Sequence, residues 1–281
     1  MKYTITIFLI LVLMFISIDP ATAQLKLKTY KKKPFVMIDV NGSLDVAALN
    51  LYGGDLGEFW GFGNYGQSIG YGCEIKGKIA VVSRKMTQFR SYLALGYSHF
   101  TRDADRVYVT TKTLPAGWPG VGLSGTGQYT NVSSAPGSGT FRMNIPYIAL
   151  GAEYAVYTDR KNLSSFNFGL DFNMSIISGM YYEYYSDGTS NDYGLQSNTR
   201  FGIGGNVIYN YRFTKAFGVN VGARFQFANL IGKNSEVYTE KNNNFYLLDA
   251  AKTSLSPLLT DSRNIGFFKF FGGVSFYIGS R

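Results

Sequence analysis

The feature that most constrains this chain is a two-residue alternation of apolar with small or polar side chains, which recurs in eight stretches. In residues 163–180, apolar and aromatic residues take the even positions from Phe166 to Ile176. Glycine, serine, asparagine and aspartate take the odd positions from Asn167 to Ser175. Successive side chains of a β-strand point to opposite faces, so the pattern predicts a strand with one apolar and one polar face.

Eight strands with this pattern are predicted at 35–49, 65–81, 88–100, 142–156, 164–180, 199–213, 216–230 and 265–279. The links between them alternate between long (50–64, 101–141, 181–198, 231–264) and short (82–87, 157–163, 214–215). An even strand number with links of this kind is typical of a single-chain outer-membrane barrel. The sequence therefore predicts an all-β fold: an eight-stranded antiparallel transmembrane up-and-down β-barrel with short periplasmic turns and long extracellular loops.

The chemistry of the polar face indicates which side of the sheet faces lipid. In the second predicted strand this face carries Gly66, Ser68, Gly70 and Gly72, while bulky apolar side chains such as Ile75 lie opposite. Small residues suit the narrow lumen of an eight-stranded barrel. A soluble barrel would instead carry lysine and glutamate on its exterior, so we expect the apolar face to point outward.

The N-terminal segment predicts that the protein is secreted. Residues 1–23 have the apolar run and the small-x-small site of a cleaved signal peptide, and 24–34 form a basic periplasmic tail before a barrel at 35–281. The tail either meets lipid phosphates at the membrane surface or is a solvated segment. Cys73, the only cysteine, lies within a strand, so neither a lipid anchor nor a disulfide is expected. Nucleic acid is not an expected partner.

Aromatic residues near the predicted strand ends indicate two interfacial girdles. Those expected at the inner end are Phe35, Phe89, Tyr154, Tyr157, Tyr209, Tyr211 and Phe213. Those expected at the outer end are Tyr97, Phe141, Tyr181, Tyr182, Phe201 and Phe268. Ordinary β-propensity explains any one of these residues but explains their placement less well.

Two strand motifs carry a family resemblance. The opening Asn144-Ile145-Pro146-Tyr147 and a final strand that ends at Gly272–Gly279, with the overall layout, resemble the small outer-membrane β-barrel proteins of the porin-like superfamily, the OmpA-like and PorT-like barrels. The resemblance implies residence in the outer membrane of a Gram-negative cell envelope, contact with outer-membrane lipids and insertion by the barrel assembly machinery. In that family the machinery reads an aromatic residue at the end of the last strand, a role that would fall here to Phe276 or Tyr277.

Seven charged residues have inward parity and form the predicted lumen charge network. They are Asp39, Glu74, Arg90, Glu153, Asp171, Arg212 and Arg224, and Lys76 would supply a further cation. A charge inside a narrow barrel must be paired and hydrogen-bonded. The network is either a plug that closes the lumen or a charged pathway for ions, and eight strands leave little room for a channel.

Other candidate sites are weaker. His99, the only histidine, has outward parity, and no acid, histidine and serine converge, so no catalytic residue is expected. No metal site or cofactor is expected, and residues 187–192 follow turn chemistry rather than the spaced acids of a calcium loop.

The outer loops offer contact surfaces. Phe59, Trp60 and Trp118 would contact a partner or cover the barrel mouth, and 235–248 is predicted as a hairpin above the membrane. The leading hypothesis is therefore a packed barrel with a structural role or one that docks an envelope protein through loops 101–141 and 231–264. The alternatives are a narrow porin-like channel for water, ions or small solutes and, more remotely, a lipid-modifying enzyme.

Overall fold

The computed structural model describes residues 33–60, 63–110, 132–159, 161–234, 244–250 and 262–280. Its strands are β1 (Pro34–Leu49), β2 (Ile69–Ser83), β3 (Thr87–Thr110), β4 (Val132–Tyr157), β5 (Ser164–Tyr185), β6 (Ser190–Arg212), β7 (Phe217–Ile231), β8 (Asn244–Phe245) and β9 (Ile265–Ser280). One short helix, α1 (Gly57–Trp60), follows β1. The predicted signal peptide at 1–23 and residues 24–32 of the predicted tail lie outside the described residues.

Eight of these strands close into a ring. Strands β1 to β7 pair antiparallel in chain order, and β9 pairs with both β7 and β1. The β1–β9 pairing runs from Pro34 opposite Ser280 to Leu49 opposite Ile265, so the barrel has no open edge along this seam. The two-residue strand β8 pairs parallel with β6 and is not part of the ring. The predicted eight-stranded antiparallel barrel is confirmed.

Four strands are longer than predicted. Residues 102–110 of β3 pair with 132–141 of β4, and 181–184 of β5 pair with 190–193 of β6. The alternation stops here because these extensions rise beyond the apolar belt, where an outward side chain no longer needs to be apolar. The prediction of a long loop at 181–198 was therefore wrong, since residues 186–189 form a tight turn. Strand β2 in turn begins four residues later than predicted, at Ile69.

The barrel exterior is apolar and its interior is polar. On β5, Leu170 and Phe172 are 74% and 76% exposed, whereas Asp171 between them is 5% exposed. Exposed apolar side chains continue around the other strands, which gives a belt that water solvates poorly but lipid solvates well. The belt therefore faces hydrocarbon, as the glycine-rich opposite face predicted. No helix within the described ranges has the length and apolar character needed to cross a membrane.

The aromatic girdles are only partly as predicted. Phe89, Tyr154 and Phe213 are exposed at the end of the barrel that carries the short turns, called here the short-turn end. Phe201 and Phe268 are exposed toward the opposite, long-loop end. Three of the predicted members, Phe141, Tyr157 and Tyr181, instead point inward and are buried. Their parity in the strand, rather than their closeness to its end, decides their direction.

Candidate functional site

The middle of the barrel is filled by charged side chains. Ten of them, five acidic and five basic, are each at most 5% exposed, and together they form what we call the lumen network. Its members are Asp39, Asp45, Glu74, Glu153, Asp171, Lys76, Lys78, Arg90, Arg224 and Lys269. Buried charges are tolerated when each meets an opposite charge. Each of the ten lies within 3.5 Å of a side chain of opposite charge.

Glu153 on β4 joins two cations on neighbouring strands. Its Oε2 lies 2.7 Å from Lys78 Nζ, and its Oε1 accepts a hydrogen bond from Arg90 at 3.0 Å. Lys78 also lies 2.9 Å from Asp39 Oδ2, and Ser275 Oγ donates to the other oxygen of Asp39 at 2.7 Å. These contacts link five neighbouring strands, β9 and β1 to β4.

Arg224 on β7 forms the second centre of the lumen network. Its guanidinium lies 2.7 Å from Asp171 Oδ1 and 3.5 Å from Glu74 Oε2. Two tyrosine hydroxyls complete the shell: Tyr92 donates to Asp171 and Tyr147 donates to Glu74, each at 2.7 Å. The rings of both tyrosines cross the lumen, so this level is filled by side chains rather than open.

Inward glycines make room for these large side chains. A Cβ added at Gly96 would lie within 3.0 Å of three atoms of Tyr147, and one at Gly151 would lie 2.6 Å from Tyr92 Cζ. One at Gly204 would lie 2.7 Å from an Arg224 nitrogen. The glycine-lined lumen predicted from sequence thus exists because each of these glycines lies beside a tyrosine or an arginine.

The structure places six of the seven predicted lumen residues in the lumen network. The seventh, Arg212, lies toward the short-turn end, where it donates to the Thr214 carbonyl at 3.0 Å and stacks over Tyr277 at 4.9 Å. Sequence reasoning missed Asp45, Lys78 and Lys269. Inward parity was the signal that could have identified them. Lys78, for example, has the same parity as Glu74 on the same strand.

The short-turn end of the lumen is also filled. Arg90 donates to the Tyr157 hydroxyl at 2.8 Å, and a recess beside it, lined by Arg212 and Tyr277, has about 10 Å³ of free volume. That volume holds about one water molecule.

An apolar cap closes the long-loop end, and it was not predicted as a unit. Its loop residues come from the segment after β1 and from the segment after β8, and all are buried: Leu51, Leu56, Phe59, Tyr65, Tyr246, Leu247 and Leu248. They pack on inward residues of the barrel wall, where the rings of Phe59 and Phe141 lie 4.7 Å apart. Phe59 therefore covers the mouth. Trp118 and the side chain of Trp60 lie outside the described residues.

The predicted hairpin at 235–248 is wrong in its described part. Residues 246–248 point into the barrel mouth instead of extending above the membrane, and 235–243 lie outside the described residues. The run of apolar residues at 246–248 reflects their burial as part of the cap. Burial also raises the pKa of the Tyr65 hydroxyl, which stays protonated and donates to the Leu247 carbonyl at 2.7 Å.

A buried ion pair, called here the latch, fixes this segment to the barrel. Arg200 on β6 makes two hydrogen bonds to Asp249, at 2.8 and 3.0 Å, and Asn229 on β7 donates to the same carboxylate at 2.9 Å. Arg263 donates to the Leu248 carbonyl at 2.9 Å. Bidentate guanidinium–carboxylate pairs with further donors are strong and directional, so the latch holds the cap in one position.

Weakening the latch should make the segment that carries the cap more sensitive to protease. Asp249→Asn removes the charge that Arg200 neutralises, so trypsin added from the long-loop side should cleave between Lys233 and Arg263 about tenfold faster. That is the ratio expected from about 1.5 kcal/mol of lost charged hydrogen bonding. The matched control is Asp187→Asn, which changes an exposed turn and should leave the rate unchanged. Equal rates for Asp249→Asn and wild type would show that the latch does not hold the cap.

The stability of the β5–β6 extension should depend on pH through Glu183. Burial raises the pKa of Glu183 above its ordinary value, although hydrogen bonds from Tyr185, Asn191 and Tyr193 favour the charged form. The folded state then binds more protons than the unfolded state between the two pKa values. The contribution of Glu183 to the stability of the extension is therefore fully present below the pKa that Glu183 has in the unfolded chain. It is lost as the pH rises through the higher pKa of Glu183 in the folded state. The hydrogen-exchange protection of the β5–β6 extension should therefore fall with rising pH in wild type and stay level in Glu183→Gln. An equal pH dependence in both proteins would show that Glu183 does not control the stability of the extension.

The structure places His99 and Ser98 on opposite faces of β3 and residues 187–192 around a turn. On the barrel exterior, His99 contacts Asn144 and Thr101 at 2.7 Å each, whereas Ser98 faces the lumen and binds Lys269. In residues 187–192, Asp187 accepts hydrogen bonds from Thr189 as in an ordinary turn. No group of three metal-ligating side chains occurs among the described residues.

Solved membrane barrels are similar to this chain at low identity. Neisserial surface protein A is 12% identical, with a TM-score of 0.39 and coverage of 86% of this chain and 97% of that chain. Ail, the attachment invasion locus protein of Yersinia pestis, is 9% identical, with a TM-score of 0.35 and coverage of 87% and 99%. The outer membrane protease OmpT from Escherichia coli is 12% identical, with a TM-score of 0.40 and coverage of 89% and 99%.

No protein-family profile and no curated protein sequence matches the chain. The closed ring of paired strands and the apolar exterior themselves establish the fold. The chain is a small eight-stranded transmembrane β-barrel protein.

Proposed function

We propose that this chain is an integral outer-membrane protein with a closed lumen, which acts as a structural element or docking scaffold through its extracellular end. In this proposal a signal peptide at 1–23 directs secretion, and the barrel assembly machinery inserts the barrel with its short turns in the periplasm. Phe276 is the aromatic residue of the last strand that this machinery would read, because it is exposed on the exterior while Tyr277 is buried.

The observation that supports a scaffold over a channel is closure at successive levels. The lumen network with Tyr92 and Tyr147 fills the middle, and the apolar cap fills the long-loop end. A transport pathway would need a continuous polar opening, and eight strands leave an interior only wide enough for side chains.

The docking surface of this proposal is the wall formed by the strand extensions. Residues 101–110, 132–141, 181–185 and 190–193 continue four adjacent strands beyond the apolar belt. Tyr184 is 54% exposed on this wall. Exposed tyrosines on a rigid sheet provide large contact area at low entropic cost, which suits a protein partner.

The experiment is quantitative co-purification from mild detergent after cross-linking in cells. An envelope protein that binds the wall should be recovered with wild type and lost with Tyr184→Ser. The control is Leu170→Ala, which alters a lipid-facing residue of the same strand. Equal recovery with Tyr184→Ser and wild type would refute docking at the wall.

A further inference from the structure

The short-turn end carries a ring of exposed cations, called here the basic rim. Arg84 and Lys85 lie in the β2–β3 turn, Lys161 in the β4–β5 turn and Lys215 in the β6–β7 turn, and all four are exposed. Among the described residues of these turns the one acid is Asp159, whose carboxylate accepts hydrogen bonds from the backbone of its own turn. Every short turn therefore presents positive charge.

The cations of the basic rim are available for a ligand. None of the four forms an ion pair with another described residue. The β2–β3 turn is held in place by Lys33, which donates to the carbonyls of Arg84 and Thr87 and lies over the Tyr157 ring at 4.7 Å. That anchoring fixes the backbone of the turn and leaves its side chains pointing outward.

The basic rim lies next to exposed aromatic rings at the edge of the apolar belt. Phe213 and Phe217 flank Lys215 by two residues on either side, and both are exposed. Phe89 and Tyr154 are exposed on the strands beside the other turns. Aromatic rings at a barrel end lie at the depth of lipid headgroups, so the side chains of the rim reach the level of the phosphates.

We propose that the basic rim binds the headgroups of anionic phospholipids in the leaflet at the short-turn end. Each basic side chain near a membrane surface attracts anionic lipid by about 1 kcal/mol. A zwitterionic headgroup presents its own amine beside the phosphate and cancels much of that attraction. The lipid annulus at this end is therefore enriched in negatively charged lipid.

Spin-label electron paramagnetic resonance of the full chain in vesicles tests this directly. We expect labelled phosphatidylglycerol to associate with wild type about fivefold more strongly than labelled phosphatidylcholine, the ratio that about 1 kcal/mol gives. The preference should weaken at high salt and fall toward one in R84Q/K85Q/K161Q/K215Q. The charge-conserving K85R/K161R/K215R should keep it.

Arg106→Gln is the positional control, because Arg106 lies on the β3 extension at the other end of the barrel. Its preference should equal that of wild type. A ratio near one in wild type, or an unchanged ratio in the fourfold glutamine variant, would overturn the proposal. Either result would leave the closed lumen and the docking wall untouched, since neither depends on the basic rim.

Discussion

Glu153→Ala is expected to lower the free energy of unfolding by about 3–5 kcal/mol, the cost of breaking a buried ion pair by removing one partner. Glu153 is fully buried and lies between Lys78 and Arg90, so alanine leaves two cations in the lumen with less negative charge. Urea unfolding in vesicles, followed by tyrosine fluorescence and by migration of unboiled sample on gels, measures the change.

Asp105→Asn is the matched control. Asp105 pairs with Arg106 at 3.8 Å, but its side chain is 95% exposed, so its removal should cost at most about 1 kcal/mol. If Glu153→Ala and Asp105→Asn had equal effects, the lumen network would not stabilise the barrel.

Gly96→Val is expected to abolish folding of the barrel. Its Cβ would overlap the ring and hydroxyl of Tyr147, which is itself held by Glu74 and flanked by Arg224 and Lys269. The strand backbone cannot retreat because β3 is paired on both sides at this level. Closed barrels resist detergent, so wild type should migrate differently with and without boiling, and Gly96→Val should lose that difference.

A second substitution separates this clash from a general intolerance of valine. In G96V/Y147A the added side chain occupies the space of the missing ring, and the heat-dependent migration should return. A Gly96→Val protein that folds normally, or a double variant that stays unfolded, would contradict the packing assigned to Tyr147.

The strands of the ring could be predicted from sequence because each strand carries the pattern of its own surroundings. Lipid on one side and a crowded lumen on the other impose the alternation seen from Phe166 to Ile176. The same alternation recurs in every strand of the ring. Outside the belt that cause disappears. The extensions at 101–110 and 181–185 were therefore predicted as loops, although they are paired strands.

The lumen residues were partly accessible from sequence. Parity places Glu153 and Arg224 inside, but their partners depend on register between strands, as when Lys78 meets Glu153 across 75 residues of sequence. The cap and the latch had no such signal. Leu51 and Leu248 lie in irregular segments without period, and Arg200 meets Asp249 only once the barrel brings β6 to the mouth.

Planar-bilayer recording of the purified barrel is the most direct test of a closed lumen. The closed lumen predicts an electrically silent wild type, with current steps only after the filling side chains are removed, as in Y92A/Y147A combined with Asp249→Ala. Heat-dependent migration of the same preparations confirms that each protein is folded and inserted. Stable conductance steps from the wild type, abolished by altering Arg224 or Asp171, would show instead that the charged lumen is an ion pathway.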